Sequence, residues 1–555
     1  MPFWLATMED CVTRCHPERA GAKVRAASKD PIKSLLAAIV VLIFSAHAAL
    51  ASPAKPIVFV PMDDRPVTYQ LPLMLGRIAG RPVVAPPHRM LGHYLRPGLP
   101  DDIIKWMNSR APQNPSAYVI STDMLHYGGL LASRVPGPVY ADNYFREKEF
   151  GLLRKRHPNA WIAAFGTIMR LAPTGVPAIG AGATYFAAAP VWQYLQQYAN
   201  LHDPLLPSEE ATAARLRALA GRAFDEYIAD RARDLAVDRL IVADAAPGGP
   251  IDHLVLGQDD AGPVGIDVPD RMELESEIAK EDAQQRIDIE PGADELGMAL
   301  VAHALARSIG WTPRIAVRYS TPSGADAHDP LEYGPISVAI DGLIGQVGGV
   351  LDDVSPQIVL CVRVPYTTQT QDDAFIAMMR TQVDAGRSVA LADLTYLEGW
   401  GTPGYADQAR FAKQILGDGL ASRLDAYSSW NTNANTVGTA LAEAVAAGVG
   451  RRAGTYDALA HREFTLMRFI DDYGYHDLVR PVLNAQLKAH GLANMILLPP
   501  ADAEIAGENR ILLWNEAESV LSQLYPGYHI AAIRITLPWD RTFETKINIA
   551  IAPNI

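Results

Sequence analysis

The run Ile57-Val58-Phe59-Val60, continuing through Pro61-Met62 into Asp63-Asp64-Arg65-Pro66, decides the fold. Four apolar residues in succession suit a strand buried on both faces, and a polar turn bounded by prolines then ends it. The same order recurs downstream. Tyr118-Val119-Ile120-Ser121 leads into Asp123, Leu254-Val255-Leu256 into Asp259-Asp260, Val389-Ala390-Leu391-Ala392 into Asp393, and Tyr427 into Trp430-Asn431-Thr432. In α/β folds ligands bind at the carboxyl ends of the strands, so these polar residues are expected to meet around one pocket.

Working outward, strand-like runs at Trp161–Phe165, Leu240–Ala243, Ile287–Ile289, Ile315–Val317 and Ile358–Val362 alternate with helical spacing. Such alternation predicts βα repeats around a parallel sheet. The expected fold class is α/β: a (β/α)8-like barrel with helical insertions and a smaller C-terminal α+β portion. Tandem doubly wound α/β units are the alternative, since chain order does not separate closed from open sheets. Leu296, Leu300, Val301, Ala304 and Leu305 predict a helix that stops at Gly310, and Val437, Leu441 and Val445 predict another ending at Gly448. Ala211 to Ala236 reads as a helical insertion. After Tyr456 the alternation ends, and Ile533, Ile535, Leu537 followed by Phe543, Ile547, Ile549 predict a hairpin around Pro538-Trp539-Asp540-Arg541. The expected division is a catalytic α/β domain over 55–450 and a C-terminal portion over 451–555. No internal repeat of fixed period is legible.

At 555 residues the chain exceeds a single small core, and its net charge of −13 lacks the basic footprint that nucleic acid requires. Lys23, Arg25, Lys29 and Lys33 precede an apolar run from Leu35 to Phe44, followed by Ala46-His47-Ala48 and Ala49-Leu50-Ala51. That is the order of a secretory signal over residues 1–51, predicting a periplasmic or secreted protein. The run is too short for a bilayer span of roughly twenty residues, so no stable span is expected after cleavage. Cys11 and Cys15 lie before the cleavage site, leaving Cys361 as a small buried strand residue within Ile358–Val362.

The candidate chemistry is acidic. Asp259-Asp260 sits in a turn, Gly257-Gln258-Asp259-Asp260-Ala261-Gly262-Pro263, where both carboxylates can reach one side. Two carboxylates sharing a site push their pKa values apart, giving one proton donor and one anion, as glycoside cleavage requires. The plainer reading is an Asx turn. Glu295, beside Asp294 after Pro291-Gly292, is a third candidate, although acids in a first helical turn also stabilise the helix without chemistry. Asp63 and Asp64 are adjacent, so in an extended segment one faces the pocket while the other pairs with Arg65 or caps a turn. Asp123 and Tyr127 can bond a hydroxylated substrate, and Gly128-Gly129 allows close backbone approach to a ligand. His126 is expected to be a solvent-facing or hydrogen-bonded loop residue, with a metal ligand as the alternative. The Trp430 face can stack on a sugar and the Asn431 amide can bond its hydroxyls, while neighbouring Asn435 or Thr436 can cap the next helix. Trp539, Asp540, Arg541 and Glu544 are placed to close over the same pocket. P-loop, dinucleotide, zinc-spacing and Gly-x-Ser-x-Gly signatures are absent from the sequence.

Val60-Pro61-Met62-Asp63-Asp64-Arg65-Pro66, Ser121-Thr122-Asp123-Met124-Leu125-His126-Tyr127-Gly128-Gly129-Leu130, the Gly257–Pro263 turn, Pro291-Gly292-Ala293-Asp294-Glu295 and Trp430-Asn431-Thr432 occur in one order. Through these segments the chain resembles the bacterial family called domain of unknown function 4127, over nearly its whole mature length. Many relatives carry Leu where this chain has Met62. The resemblance names a family without naming a reaction. The residues themselves lead to an exported carbohydrate-active hydrolase, a glycosidase with Asp259, Asp260 and Glu295 catalytic and a carbohydrate partner. Asp63, Asp64, Arg65, Asp123, Tyr127, Asp294, Trp430 and Asn431 would hold the sugar. No cofactor is expected. The alternatives are a divalent-metal hydrolase using Asp63, Asp123, Asp259 and Asp260, and a periplasmic glycan-binding protein without turnover.

Overall fold

In the first sheet, consecutive side chains alternate between two apolar layers. Ile57 and Phe59 of β1 (Ile57–Val60) join one core, and Val58 and Val60 join the other. The neighbouring β3 (Ala117–Ser121) repeats this, with Ala117 and Val119 on the first side and Tyr118 and Ile120 on the second. Period-two alternation of wholly apolar runs is what a parallel sheet covered by helices on both faces demands. The molecule is a computed structural model that describes residues 54–135, 140–171, 189–329, 332–396, 405–492 and 496–554. The expected signal and cleavage site, with Cys11 and Cys15, lie outside the described residues.

The first sheet also contains β2 (Val83–Val84), β4 (Trp161–Ile168), β5 (His253–Gln258) and β6 (Ile287–Pro291), in the order β2-β1-β3-β4-β5-β6, all parallel. A second parallel sheet is built from β7 (Arg314–Tyr319), β8 (Val350–Leu351), β9 (Ile358–Arg363), β10 (Ser388–Asp393) and β11 (Ala426–Ser428), in the order β11-β10-β9-β7-β8. The protein is thus mixed α/β, with its strands shared between two parallel sheets. Read from its short second strand, each sheet runs second, first, third, fourth, fifth, the order of a doubly wound unit, and the first sheet adds a sixth strand at the far edge. Among the described residues no strand pairing joins the two sheets. The same order therefore appears twice without a period in the sequence.

Helices Leu71–Ala79, Leu296–Arg307 and Asn433–Ala453 fill the space where the cores of the two sheets meet. The last is rich in Ala and Gly and is buried on every side from Asn433 to Gly450, as a central helix surrounded by other elements must be. Its small residues permit close packing: a Cβ on Gly438 would lie 2.6 Å from Glu295 Cγ. This helix runs to Ala453, through the expected boundary at 450, and residues from Lys55 onward form a single compact unit.

The run Leu240–Ala243, expected as a strand, lies inside the helix Arg222–Ala245. A four-residue apolar run does not distinguish a strand from the buried face of a helix, and here Val237, Ile241, Val242 and Ala245 form that face. The expected insertion is two helices, Glu210–Ala220 and Arg222–Ala245, separated by Gly221 with φ 57°. Beyond Ala453 come the helix Ala458–Arg468, a π-helical stretch Phe469–Val479, the helices Arg480–Ala489 and Ala501–Leu524, and an antiparallel pair β12 (Tyr528–Thr536) and β13 (Lys546–Pro553). Their turn includes Pro538–Asp540, as the hairpin pattern predicts. Cys361 is fully buried in β9, and burial pushes its thiol up.

Candidate active site

At the carboxyl edge of the first sheet lies a cavity of about 670 Å³. Arg65 enters it from the segment after β1, Arg170 from the end of β4, Asp259 and Asp260 from the end of β5, and Asp294 from the end of β6. Asn431, after β11, and Trp539, Arg541 and Phe543, from the β12–β13 connection, complete the wall. A hollow of about 680 Å³ opens at the opposite edge among Lys55, Arg154 and Arg307. Size does not choose between them. Ligands of open parallel sheets bind at the carboxyl edge, and backbone strain points the same way.

Tyr94 (φ 50°), Asp260 (φ 42°), Asn431 (φ 58°) and Trp539 (φ 59°) all line the carboxyl-edge cavity in the left-handed region. Asp and Asn tolerate that region, but an aromatic residue there costs roughly 1–3 kcal/mol, which surrounding structure must offset. Among the described non-glycine residues only Asp282, Tyr366 and Asp540 share it, and Asp540 follows Trp539.

Every lining carboxylate meets a guanidinium. Arg134 Nη2 donates to Asp259 Oδ2 at 2.5 Å, and Arg170 Nη1 donates to Asp260 Oδ2. Arg65 donates through Nη1 and Nη2 to both oxygens of Asp294, at 2.8 and 2.6 Å, and through Nε and Nη2 to Asp63. Burial draws the Asp259 carboxyl upward, but Arg134 and Arg170 outweigh it and the net direction is below the ordinary carboxylate value. Asp260 goes the other way, raised by burial and then by the charge of Asp259. Burial also raises Asp294 despite Arg65. The two adjacent acids thus differ in proton affinity while both side chains stay partly open, at 20% and 31% exposure.

Asp63 and Asp64 divide their work. Asp63 binds Arg65 and accepts from Thr68 Oγ1 at 2.5 Å. Asp64 accepts from Trp539 Nε1 at 2.7 Å and faces His93 Nδ1 at 2.8 Å, tying the C-terminal turn to the first strand. Both are buried, so Arg65 is the member of this motif that reaches the cavity.

Other candidates stand behind the wall. Asp123 is buried, accepts from Thr167 Oγ1 at 3.3 Å, and is raised to about 7 by burial and by Asp234. Tyr127 is buried beneath Arg233. Gly128-Gly129 serves close approach to a neighbouring loop: a Cβ on Gly128 would lie 2.7 Å from Gly98 N. His126 ends the short helix Thr122–His126 instead of lying on a loop, and it is buried and not solvent-facing, with Nδ1 at 2.9 Å from Thr122 O and Nε2 at 2.7 Å from Glu147 Oε2. Glu295 is fully buried against Gly292 and Gly438 and does not line the cavity; burial pushes its carboxyl well up. Trp430 is buried too, with Arg468 at 5.9 Å from its ring, so only Asn431 of that pair faces the cavity.

Sequence reasoning missed Tyr94, Arg134, Arg170, Trp192, Gln196 and Asn200. Arg170 follows β4 just as Asp259 follows β5, so the strand-end rule would have found it had it not been confined to acids and amides. Arg134 stands four residues beyond the Leu130 that closes one of the quoted segments. Trp192, Gln196 and Asn200 belong to or follow the helix Ala189–Ala199, whose place beside the cavity no local pattern announces.

No group of three His, Cys, Asp or Glu side chains among the described residues is arranged to hold a metal ion. No helix among them is long and apolar enough to cross a membrane. Comparisons with curated proteins and with solved structures returned no match. The family model described as protein of unknown function (DUF4127) matches residues 57–548, nearly the whole chain, and the chain belongs to that family.

Proposed function

We propose that the protein is an exported carbohydrate-active hydrolase, a glycosidase whose paired carboxylates are Asp259 and Asp260. The observation that carries this reading is the opposed proton affinity of two adjacent, partly open acids in one cavity. Asp260, raised, is the proton donor to the leaving oxygen; Asp259, held ionised by Arg134 and Arg170, is the anionic partner. The rim suits a sugar: Tyr94, Trp192 and Phe543 offer apolar ring faces, and Gln196, Asn200 and Asn431 offer amides that both donate and accept. Export rests on the basic, apolar and small-residue order of the first 51 residues.

The test is hydrolysis of an oligosaccharide panel by the wild type and by Asp259→Asn and Asp260→Asn. Each substitution is expected to lower kcat by about 10²–10⁴-fold while circular dichroism and melting temperature stay near those of the wild type. Activity unchanged in both folded variants would remove the assignment. The arginine partner on each acid favours a second reading, a glycan-binding protein without turnover, which predicts binding of a glycan that no condition cleaves.

A further inference from the structure

The acids of the cavity are matched by guanidinium groups. Arg65, Arg134, Arg170 and Arg541 line it and, among the described residues, no lysine does. Four arginines around one cavity run against the composition of a chain with a net charge of −13.

The four are not equivalent. Arg65 is committed on both edges to Asp63 and Asp294 and its side chain is 5% exposed, while that of Arg134 is 2% exposed. Arg170 and Arg541 keep 21% and 18% of their side chains open. Arg541 contacts a single carboxylate oxygen, Glu544 Oε1 at 3.0 Å, and its buried Nε has no hydrogen-bond partner. Its orientation is nevertheless set, because the guanidinium lies 4.6 Å from the Trp539 ring and 4.7 Å from the Phe543 ring. A positioned guanidinium with a donor to spare beyond its Glu544 partner is complementary to a planar anion, which can accept two parallel N–H bonds where a neutral hydroxyl accepts fewer.

We propose that Arg541 and Arg170 read a carboxylate on the substrate, so that the site takes acidic glycans built from uronic-acid-type sugars. This rests on the carbohydrate reading above and narrows it. The planar fork of each arginine favours a carboxylate over a point charge, and the aromatic and amide groups of the same wall accommodate the rest of the sugar.

Calorimetric titration of the mature protein with uronic-acid tetrasaccharides, and with the same tetrasaccharides after carboxyl reduction, tests it. The acidic forms are expected to bind at least about tenfold more tightly, with a preference that shrinks as salt is added. Arg541→Gln is expected to abolish the preference and Arg541→Lys to restore only part of it; Arg170→Gln provides an independent variant should Arg541→Gln melt early. Equal affinity for acidic and reduced forms, or a preference intact in both folded glutamine variants, overturns the inference. Acidic glycans bound but never cleaved leave it standing and remove the hydrolase reading. Cleavage of reduced and acidic forms alike does the reverse.

Discussion

Arg65 concentrates the logic of the site in one side chain. Its guanidinium joins Asp63, two residues away, to Asp294, 229 residues away, and lies 4.9 Å from the Trp539 ring. Burial opposes its charge, yet Asp294 and Asp63 more than compensate and hold it protonated. Arg65→Met would leave two buried carboxylates facing one another without their cation. A loss of about 3–5 kcal/mol is expected in denaturant unfolding, because breaking a buried pair strands its partners. A loss below about 1 kcal/mol would show that water or another cation reaches the pair. The motif Asp63-Asp64-Arg65 was legible as important, but its division of labour was not. Adjacent side chains diverge in any extended segment; which one meets Trp539, 475 residues away from Asp64, depends on where the C-terminal turn lands.

Among the elements, the helix Arg222–Ala245 carries a further chemical signal. Asp230, Asp234 and Asp238 recur every four residues on one buried stripe, Asp234 and Asp238 facing Asp123 and Tyr127. Burial raises Asp123 and Asp230 each to about 7 and Asp234 to about 6. Such carboxyls bind protons more tightly in the folded chain than in the unfolded one, where they titrate near 4. Their contribution is therefore fully present below about pH 4 and is lost as pH rises through about 7. Salt-bridged Asp372, where Arg363 outweighs burial, acts oppositely and only at more acidic pH. The melting temperature is expected to fall between about pH 4 and pH 7, and Asp123→Asn is expected to flatten that slope. A melting temperature that climbs across the window would contradict the buried-acid stripe. The sequence pointed to a helix here only as far as Ala236 and to a strand at Leu240–Ala243, and regular spacing of acids on a helix ordinarily reads as a solvated face; only the neighbours that cover it make it a proton-rich layer.

On the scale of the whole molecule, the cavity is assembled from both ends of the chain. The connection between β12 and β13 supplies Trp539 and Arg541, and the Trp539 indole bonds Asp64 just after the first strand. Truncation after Leu524 would remove that hairpin and expose the apolar residues it covers, including Leu521 and Leu524. Loss of both soluble expression and ligand binding is expected; a soluble truncated chain that binds glycans as tightly as the full chain would refute the shared wall. Trp539→Phe is the finer probe, expected to cost about 1–3 kcal/mol because Asp64 loses a buried donor.

By itself the sequence determined most of the strands, since a run such as Ile57–Val60 is apolar on both faces and stable only between two layers, although the equally apolar Leu240–Ala243 belongs to a helix. It also determined that acids gather where those runs stop, because a buried strand must end in turn-forming polar residues. Tertiary structure alone decided that the strands divide into two sheets, that Glu295 and Trp430 face inward while Arg134 and Arg170 line the cavity, and that arginines partner its acids. These outcomes depend on long-range packing, and local propensity carries no record of which distant side chain will occupy the other side of a contact.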